Sequence, residues 1–156
     1  MRFYRIARAA QDTPKAAFSG LGAANAAHRW NWPGPNVRAV YCSENLALAC
    51  LETLVHIRPS PRKFPPSVFY TVDLPEELYE RPHPGSLPAG WDTIVPSSAT
   101  RDFGTAFLSE NRAVALIIPT IILPVGLNAL INPRHPKFRL SWVRGPHAYR
   151  YDGRLE

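Results

Sequence analysis

The chain has 156 residues, of which 18 are Lys or Arg and 12 are Asp or Glu, giving a formal net charge of +6. This length suits one domain with its own core, so we predict a single domain over residues 1–156. No stretch approaches the roughly 20 apolar residues of a membrane span, and the N-terminus lacks a signal-peptide layout. We expect a cytoplasmic protein without membrane contact, whose basic charge favours nucleic acid, a phosphorylated small molecule or an acidic protein.

Short strands dominate the predicted elements, because 17 prolines leave room for few long helices. In the first half of the chain, apolar runs with β-forming residues predict strands at residues 2–6, 37–42 and 68–72. A helix is predicted to follow the second strand, with Ser43 as its N-cap and Pro59 as its end. Cys42 and Cys50 fit small core positions better than a disulfide or a metal site.

The second half of the chain repeats this mixture. A short helix is predicted at residues 100–108, and extended segments are predicted at 113–118, 121–123, 138–143 and 147–151. With few helices and many short strands, the sequence predicts a compact α+β domain of mixed, mostly antiparallel strands.

Glu52 is the only acid in the apolar, helix-forming run from residue 47 to residue 55. Burial of an unpaired carboxylate can shift its pKa by about 3–5 units, so such a residue is usually paired or used. On the predicted helix Glu52 lies away from the main apolar stripe, and we expect it to face a pocket.

Two residues on the preceding elements, Arg29 and Tyr41, could form a site with Glu52. Arg29 could hold a pyrophosphate through its planar fork, Tyr41 could stack on a flat ring, and Glu52 could stabilise a cationic transition state. The alternatives are that Arg29 is a surface residue and that Tyr41 is a core aromatic. Gly20 and Gly22 lie upstream, but the third glycine of a dinucleotide-binding loop is missing, and we reject a Rossmann site.

The five histidines are scattered along the chain, and no metal-binding motif is present. We therefore expect no metal and no resident cofactor.

Several ordered motifs resemble the RES-domain proteins. They are G-x-G-x(5)-H-R-W-N from Gly20, A-V-Y-C-S from Ala39, L-A-x-x-E-T-L-V-H from Leu48, P-T at residues 119–120 and N-x-L-I-N-P-x-H-P-x-F from Asn128. The resemblance extends from about residue 3 to residue 145. It implies a fold similar to ADP-ribosyltransferases.

The resemblance assigns roles residue by residue. It implies that Arg29, Tyr41 and Glu52 are catalytic, and that the family serine position is Thr120, where a hydroxyl is kept and a methyl is added. Substrate-binding residues are expected in the same motifs: Arg29, Tyr41, Thr120, Asn128, Trp30 and Asn31. Two further departures are Ala27-His28, where a glycine-rich pair is expected, and Phe107, where tryptophan is common.

The implied protein is a toxin of a bacterial toxin–antitoxin pair that acts on NAD+ as substrate and releases nicotinamide. Water, inorganic phosphate or a protein side chain could be the acceptor, which would make the enzyme a glycohydrolase, a phosphorylase or an ADP-ribosyltransferase. The resemblance also implies an Xre-type antitoxin that covers the active site, with no direct nucleic-acid contact by this chain.

Two other classes stay open at this point. The basic charge with Trp30 and Trp32 would suit a nucleic-acid-binding or RNA-cleaving toxin. A non-enzymatic interaction protein would use Glu52 as a structural ion-pair partner of Arg29.

Overall fold

A computed structural model of the chain describes residues 1–57 and 64–155. The described residues form a seven-stranded sheet with helices packed on it. The strands are β1 (Arg2–Arg8), β2 (Val40–Ser43), β3 (Ser67–Asp73), β4 (Tyr79–Glu80), β5 (Ala115–Pro119), β6 (Leu127–Ile131) and β7 (Val143–Tyr149). The helices are α1 (Pro14–Ala17), α2 (Leu21–Asn25), α3 (Leu46–His56) and α4 (Ser98–Glu110).

The strand order is β4-β5-β6-β2-β1-β3-β7. β4 and β5 run parallel, and the other neighbouring strands are antiparallel. The predicted α+β domain with mixed, mostly antiparallel short strands and few helices is confirmed.

The middle of the sheet is weakly joined. β1 and β2 share a single residue pair, Tyr4 with Ser43, whereas β1 and β3 are paired along seven residues. β2 is in turn paired along its whole length with β6. The sheet therefore consists of two well-paired halves, β4-β5-β6-β2 and β1-β3-β7, that separate beyond Tyr4.

Each face of the sheet carries a hydrophobic core, because alternate residues of a strand point to opposite faces. On one face Phe3, Val40 and Tyr70 are buried in a cluster that includes Ala17 of α1. On the other face Leu116 and Leu130 pack in a cluster with Phe107 and Leu108 of α4. Phe107, where the resemblance leads us to expect a tryptophan, is thus a core residue with no exposed surface.

Helix α4 is longer than the predicted 100–108 because it starts two residues earlier and ends two residues later. The Ser97 hydroxyl accepts a hydrogen bond from the Thr100 backbone N–H at 3.1 Å and caps the helix. A Cβ at Gly104 would stand 2.0 Å from the Trp30 carbonyl oxygen, so only glycine lets the 28–32 segment approach the helix this closely. This contact fixes the segment that carries Arg29.

The predicted start of α3 is wrong. Asn45 is the N-cap, and its side chain accepts from the Leu48 N–H at 2.8 Å. Ser43 instead ends β2, where its register opposite Asn128 holds it. Cys42 also lies in β2 and is buried, as predicted for a small core residue, whereas Cys50 on α3 is half-buried, and both thiols are free. Pro59, the predicted end of the helix, lies outside the described residues.

Two predicted extended segments are also wrong. Residues 121–123 form a bend beside the cavity. The Ile122 N–H donates to the Thr120 hydroxyl at 3.1 Å and not to the carbonyl of a neighbouring strand. Residues 140–142 form a 3₁₀ turn ahead of β7, which begins earlier than the predicted 147–151. β6 was not predicted, and it lies in the middle of its half-sheet between β5 and β2.

No helix in the described ranges combines the length and apolar composition that crossing a membrane requires.

Candidate active site

A cavity of about 1130 Å³ lies where β1 and β2 separate. Its lining includes residues of both half-sheets and of α3, so it occupies the opening in the sheet. The lining contains six of the seven predicted site residues: Arg29, Trp30, Tyr41, Glu52, Thr120 and Asn128. Asn31 is not part of the lining and has no exposed surface.

Glu52 is half-buried on the cavity side of α3, and one of its two oxygens is fully engaged. Oε1 accepts from the Thr120 hydroxyl at 2.7 Å and from the Asn128 side-chain amide at 2.6 Å. Within the described ranges, Oε2 accepts no hydrogen bond and the carboxylate forms no ion pair. The two neutral donors therefore fix the orientation of the carboxylate without neutralising its charge.

Ser43 extends this network and was missed as a functional residue. Its hydroxyl, which is buried, donates to Oδ1 of Asn128 at 2.8 Å. This bond orients the Asn128 amide so that Nδ2 points to Glu52. Ser43 and Asn128 are direct partners across β2 and β6, a pairing between residues 85 positions apart. The A-V-Y-C-S motif was the available signal.

The extra methyl of Thr120 has a place in this structure. A Cβ at Gly126 would stand 2.9 Å from the Thr120 Cγ2, so the absence of a side chain at residue 126 makes room for the methyl. The Thr120 hydroxyl both donates to Glu52 and accepts from the Ile122 N–H. Threonine therefore keeps the hydrogen bonds that a serine at this position would make.

Tyr41 presents its ring to the cavity while its hydroxyl is used inside the protein. The hydroxyl donates to Oδ1 of Asn31 at 2.7 Å and accepts from the Trp30 N–H at 3.3 Å. Burial raises the pKa of the Tyr41 phenol well above its usual value, so it stays protonated. The Asn31 amide donates in turn to the carbonyls of Ala23, Ala26 and Trp32. The structure thus places Asn31 behind the cavity wall, where it orients Tyr41.

Arg29 lines the cavity, but its guanidinium group is hydrogen-bonded to the loop at residues 91–94. Nη1 donates to the carbonyls of Trp91 at 2.8 Å and Thr93 at 2.7 Å, and Nη2 donates to the carbonyl of Ile94 at 3.0 Å. Three of its five N–H groups are therefore used. Arg29 does not form an ion pair with Glu52, contrary to the non-enzymatic hypothesis. The loop at 91–94 lies beside the cavity, which Ile94 helps to line.

The two tryptophans differ in exposure. Trp30 is 2% exposed and packs against Trp91 and Phe103, with ring centroids 6.5 and 6.1 Å away. Trp32 is 37% exposed, and the Arg101 guanidinium lies 5.0 Å from the centroid of its ring. Trp30 is therefore a packing residue, whereas Trp32 keeps part of its ring at the surface.

His28, one of the departures from the family pattern, also lines the cavity. Its ring lies 5.5 Å from the ring of Tyr41. Burial is the main cause that lowers the pKa of His28, and the nearby His56 and Arg5 lower it further. His28 is consequently neutral at pH 7 and presents an uncharged ring beside Tyr41.

Arg5 of β1 lines the cavity and was not among the predicted site residues. Its Nη1 donates to the Tyr41 carbonyl at 3.2 Å, across the gap between β1 and β2. Burial lowers the pKa of the Arg5 guanidinium. Arg5 alternates with Phe3 and Ala7 along the strand, so it shares a face of β1 with two core residues, and this alternation was the signal in the sequence.

Within residues 1–57 and 64–155, no three His, Cys, Asp or Glu side chains cluster in a way that could hold a metal ion. The arrangement at the cavity consists of an oriented carboxylate, an aromatic wall and half-buried arginine side chains. Such a set can bind an anionic, aromatic molecule and stabilise positive charge that develops next to Glu52.

The sequence is similar to a described protein family and to two named toxins. A family model described as RES domain matches residues 2–152. The chain is 34% identical over 156 residues to the Prs ADP-ribosylating toxin of Sphingobium sp. (strain YBL2), covering 98% of this chain and 95% of the relative. It is 32% identical over 143 residues to Toxin Res of Yersinia enterocolitica, covering 90% of this chain and 91% of the relative.

The fold is similar to that of a solved structure. A chain in the crystal structure of the M. tuberculosis MbcT–MbcA toxin–antitoxin complex superposes with a TM-score of 0.72. The match covers 92% of this chain and 79% of that chain at 17% identity.

Proposed function

This chain belongs to the RES-domain family, in which both relatives described above are toxins, and from that premise we propose that it is a toxin that cleaves the nicotinamide–ribose bond of NAD+. Glu52 is the proposed catalytic carboxylate. The observation that carries the proposal is a cavity-lining carboxylate that is held on one oxygen by two neutral donors and has no ion-pair partner in the described ranges. We place the activity in the cytoplasm, in keeping with a substrate that is a dinucleotide.

The proposed reaction needs one carboxylate. When the bond between the ribose C1′ and the nicotinamide nitrogen breaks, its electron pair goes to the pyridinium ring, and nicotinamide leaves as a neutral molecule. The ribosyl group becomes an oxocarbenium ion, which the Glu52 charge stabilises. An acceptor oxygen or nitrogen then bonds to C1′, and any proton that this atom carries passes to solvent. No general acid is needed, because the leaving group already carries positive charge.

The other cavity residues have roles that follow from their contacts. The Tyr41 ring, held by Asn31, offers a flat apolar surface for nicotinamide or its ribose. Thr120 and Asn128 keep Glu52 oriented, and Ser43 keeps Asn128 oriented. Arg29 contributes its two remaining N–H groups and fixes the loop at the cavity edge.

We propose breakdown of NAD+ by water or inorganic phosphate as the outcome. ADP-ribosylation of a protein is the second candidate, and it is favoured by the name of the Sphingobium relative, an ADP-ribosylating toxin with 34% identity to this chain. All acceptors share the first bond-breaking step, so nicotinamide release is common to them.

The test is incubation of the purified chain with NAD+ in three parallel reactions: buffer alone, added inorganic phosphate, and a cell extract. We expect nicotinamide in stoichiometric balance with ADP-ribose, with ADP-ribose 1-phosphate or with a mass increase on a protein, measured by mass spectrometry. The identity of the second product decides the acceptor. Absence of nicotinamide in all three reactions would refute the proposal.

We further propose an antitoxin of the Xre type that covers the cavity. The structural neighbour comes from a toxin–antitoxin complex, which supports a protein partner. Exposed apolar side chains beside the cavity, Ile94 at 90% and Val95 at 76%, offer a surface for it. Co-purified partner should abolish nicotinamide release by this chain, and unchanged turnover in the complex would contradict the proposal.

A further inference from the structure

The loop at residues 91–94 is tied to the cavity wall by hydrogen bonds to its backbone. Arg29 donates to three of its carbonyls. The other hydrogen bonds of the loop run between residues 88 and 95: the Thr93 N–H, for example, donates to the Gly90 carbonyl at 3.3 Å, and the Thr93 hydroxyl lies 2.7 Å from the same carbonyl. Among the described residues, Arg29 is therefore the hydrogen-bonding link between the middle of the loop and the rest of the protein.

The two ends of the loop are anchored, whereas its tip is bare. Trp91 packs against Trp30, with ring centroids 6.5 Å apart, and the Ser97 hydroxyl caps α4. Between these anchors, Ile94 and Val95 are among the most exposed apolar side chains of the described residues. Few packing contacts hold a segment whose side chains are this exposed. The tip can therefore leave the cavity edge once its carbonyls are released from the guanidinium.

The hydrogen bonds to the loop close one edge of the Arg29 guanidinium. Nη1 uses both of its hydrogens on carbonyls, and Nη2 uses one. A phosphate that contacts the outer edge of the fork needs one hydrogen from each Nη nitrogen. Such a phosphate can bind there only if it displaces the loop carbonyls. A charged acceptor forms stronger hydrogen bonds with a guanidinium than a neutral carbonyl does, so the anion is the better partner.

The loop also carries a negative charge close to this guanidinium. Burial lowers the pKa of Arg29, and the charges of Glu52 and Asp92 oppose that shift. Asp92 is exposed and forms no ion pair among the described residues. An anion bound at Arg29 would repel the Asp92 carboxylate, which favours departure of the loop.

We propose that residues 91–95 form a latch that holds Arg29 in the free protein, and that the phosphoryl groups of a bound dinucleotide displace this latch. The inference rests on the proposed function and adds self-inhibition to its site. Each ligand must compete with the loop, so the apparent Kd exceeds the Kd of the released form by the inverse of the released fraction. A change that loosens the latch should therefore tighten binding.

The test measures the backbone motion of residues 92–95 by ¹⁵N relaxation, in the free protein and at saturating ADP-ribose, with calorimetry to establish saturation. We expect the order parameters of these residues to fall from about 0.85 to below about 0.6 as the latch is released. A ligand that leaves the loop bound to Arg29 would keep these values or raise them. Adenosine, which lacks phosphoryl groups, should leave them unchanged at the same concentration.

Each outcome decides the inference. Order parameters that stay high with ADP-ribose, or that fall equally with adenosine, would overturn it even if the protein releases nicotinamide. Failure of ADP-ribose to bind would overturn it as well. A fall with ADP-ribose in a protein that releases no nicotinamide would refute the proposed reaction and leave the latch standing.

Affinity gives a second readout with matched controls. Thr93→Gly adds backbone freedom to the released loop and removes the hydroxyl that lies against the Gly90 carbonyl, so ADP-ribose should bind about two- to fivefold more tightly. Thr93→Ser keeps the hydroxyl and should bind like the wild type. Ser86→Gly adds the same freedom in an exposed turn outside the cavity lining and should leave the Kd unchanged. Equal or weaker binding by Thr93→Gly, relative to the wild type, would contradict a competing latch.

Discussion

Glu52→Gln is the substitution that separates charge from shape in this site. The glutamine carbonyl oxygen can take the position of Oε1 and accept from both Thr120 and Asn128 at the present 2.7 and 2.6 Å. The amide nitrogen then takes the position of Oε2, which carries no hydrogen bond among the described residues. The variant therefore keeps the local geometry and loses the negative charge.

The expected loss of rate follows from the electrostatic energy. Two unit charges about 4 Å apart attract by roughly 4 kcal/mol at an effective dielectric constant of about 20. Since about 1.36 kcal/mol corresponds to a factor of ten in rate, Glu52→Gln should lower kcat about 10³-fold. The two hydrogen bonds weaken because their acceptor is no longer charged, but the cost of half-burying a charge is removed as well. The unfolding free energy should therefore change by less than about 1 kcal/mol.

The assay is nicotinamide release from saturating NAD+, with urea unfolding of the same preparations. Glu77→Gln is the matched control, because Glu77 is an exposed acid outside the cavity lining. It should turn over NAD+ at the parental rate. A Glu52→Gln enzyme within a few-fold of the parental kcat, with its fold intact, would refute a charge-stabilising role for Glu52.

Three further predictions test neighbouring groups. Thr120→Val removes the hydroxyl that donates to Glu52, so kcat should fall at least tenfold. Thr120→Ser keeps the hydroxyl and should stay within a few-fold of the parental kcat. Equal kcat values for the two variants would argue against a role for the hydroxyl. In Arg29→Lys the ammonium group cannot reproduce the three hydrogen bonds to the carbonyls of the loop. Backbone amides at 91–95 should therefore exchange hydrogen faster, and NAD+ should bind more weakly. Unchanged exchange would show that Arg29 does not hold the loop. Burial lowers the pKa of His28, so the unfolded chain binds a proton that the folded chain does not, and stability should fall as pH drops below about 6.5. Between pH 7.5 and 5.5, the urea midpoint of His28→Gln should therefore decrease less than that of the wild type.

Local sequence patterns predicted those helices and strands whose own residues favour that secondary structure. The apolar periodicity of α3 placed Glu52 off the main stripe, and the structure places it in the cavity lining. β3 and α4 were found because their signals lie within the elements themselves: β-branched and aromatic residues in the strand, and Phe103 and Phe107 in the helix. The family motifs named Thr120 and Asn128, which the structure brings to Glu52, while their roles toward substrate stay predictions.

Long-range pairing decided what the sequence did not reveal. β6 contains Asn128 in an otherwise apolar stretch, and its polar side chain suits the strand only because Ser43 and Glu52 meet it. Ser43 looked like a helix cap because its residue type fits one, but its register opposite Asn128 makes it the end of a strand. The site of Arg5 depends on how far β1 and β2 stay paired, which no local pattern specifies.

The single pair between Tyr4 and Ser43 leaves the two half-sheets held together mainly by side chains instead of ladder hydrogen bonds. Phe3 and Tyr70 of one half share a buried cluster with Val40 and Ile131 of the other, so a common core keeps the two halves in position. The cavity can therefore open through the middle of the sheet without dividing the domain. The width of that opening depends on the packing of residues that do not themselves line it, and a substitution in the shared core would alter the cavity from a distance.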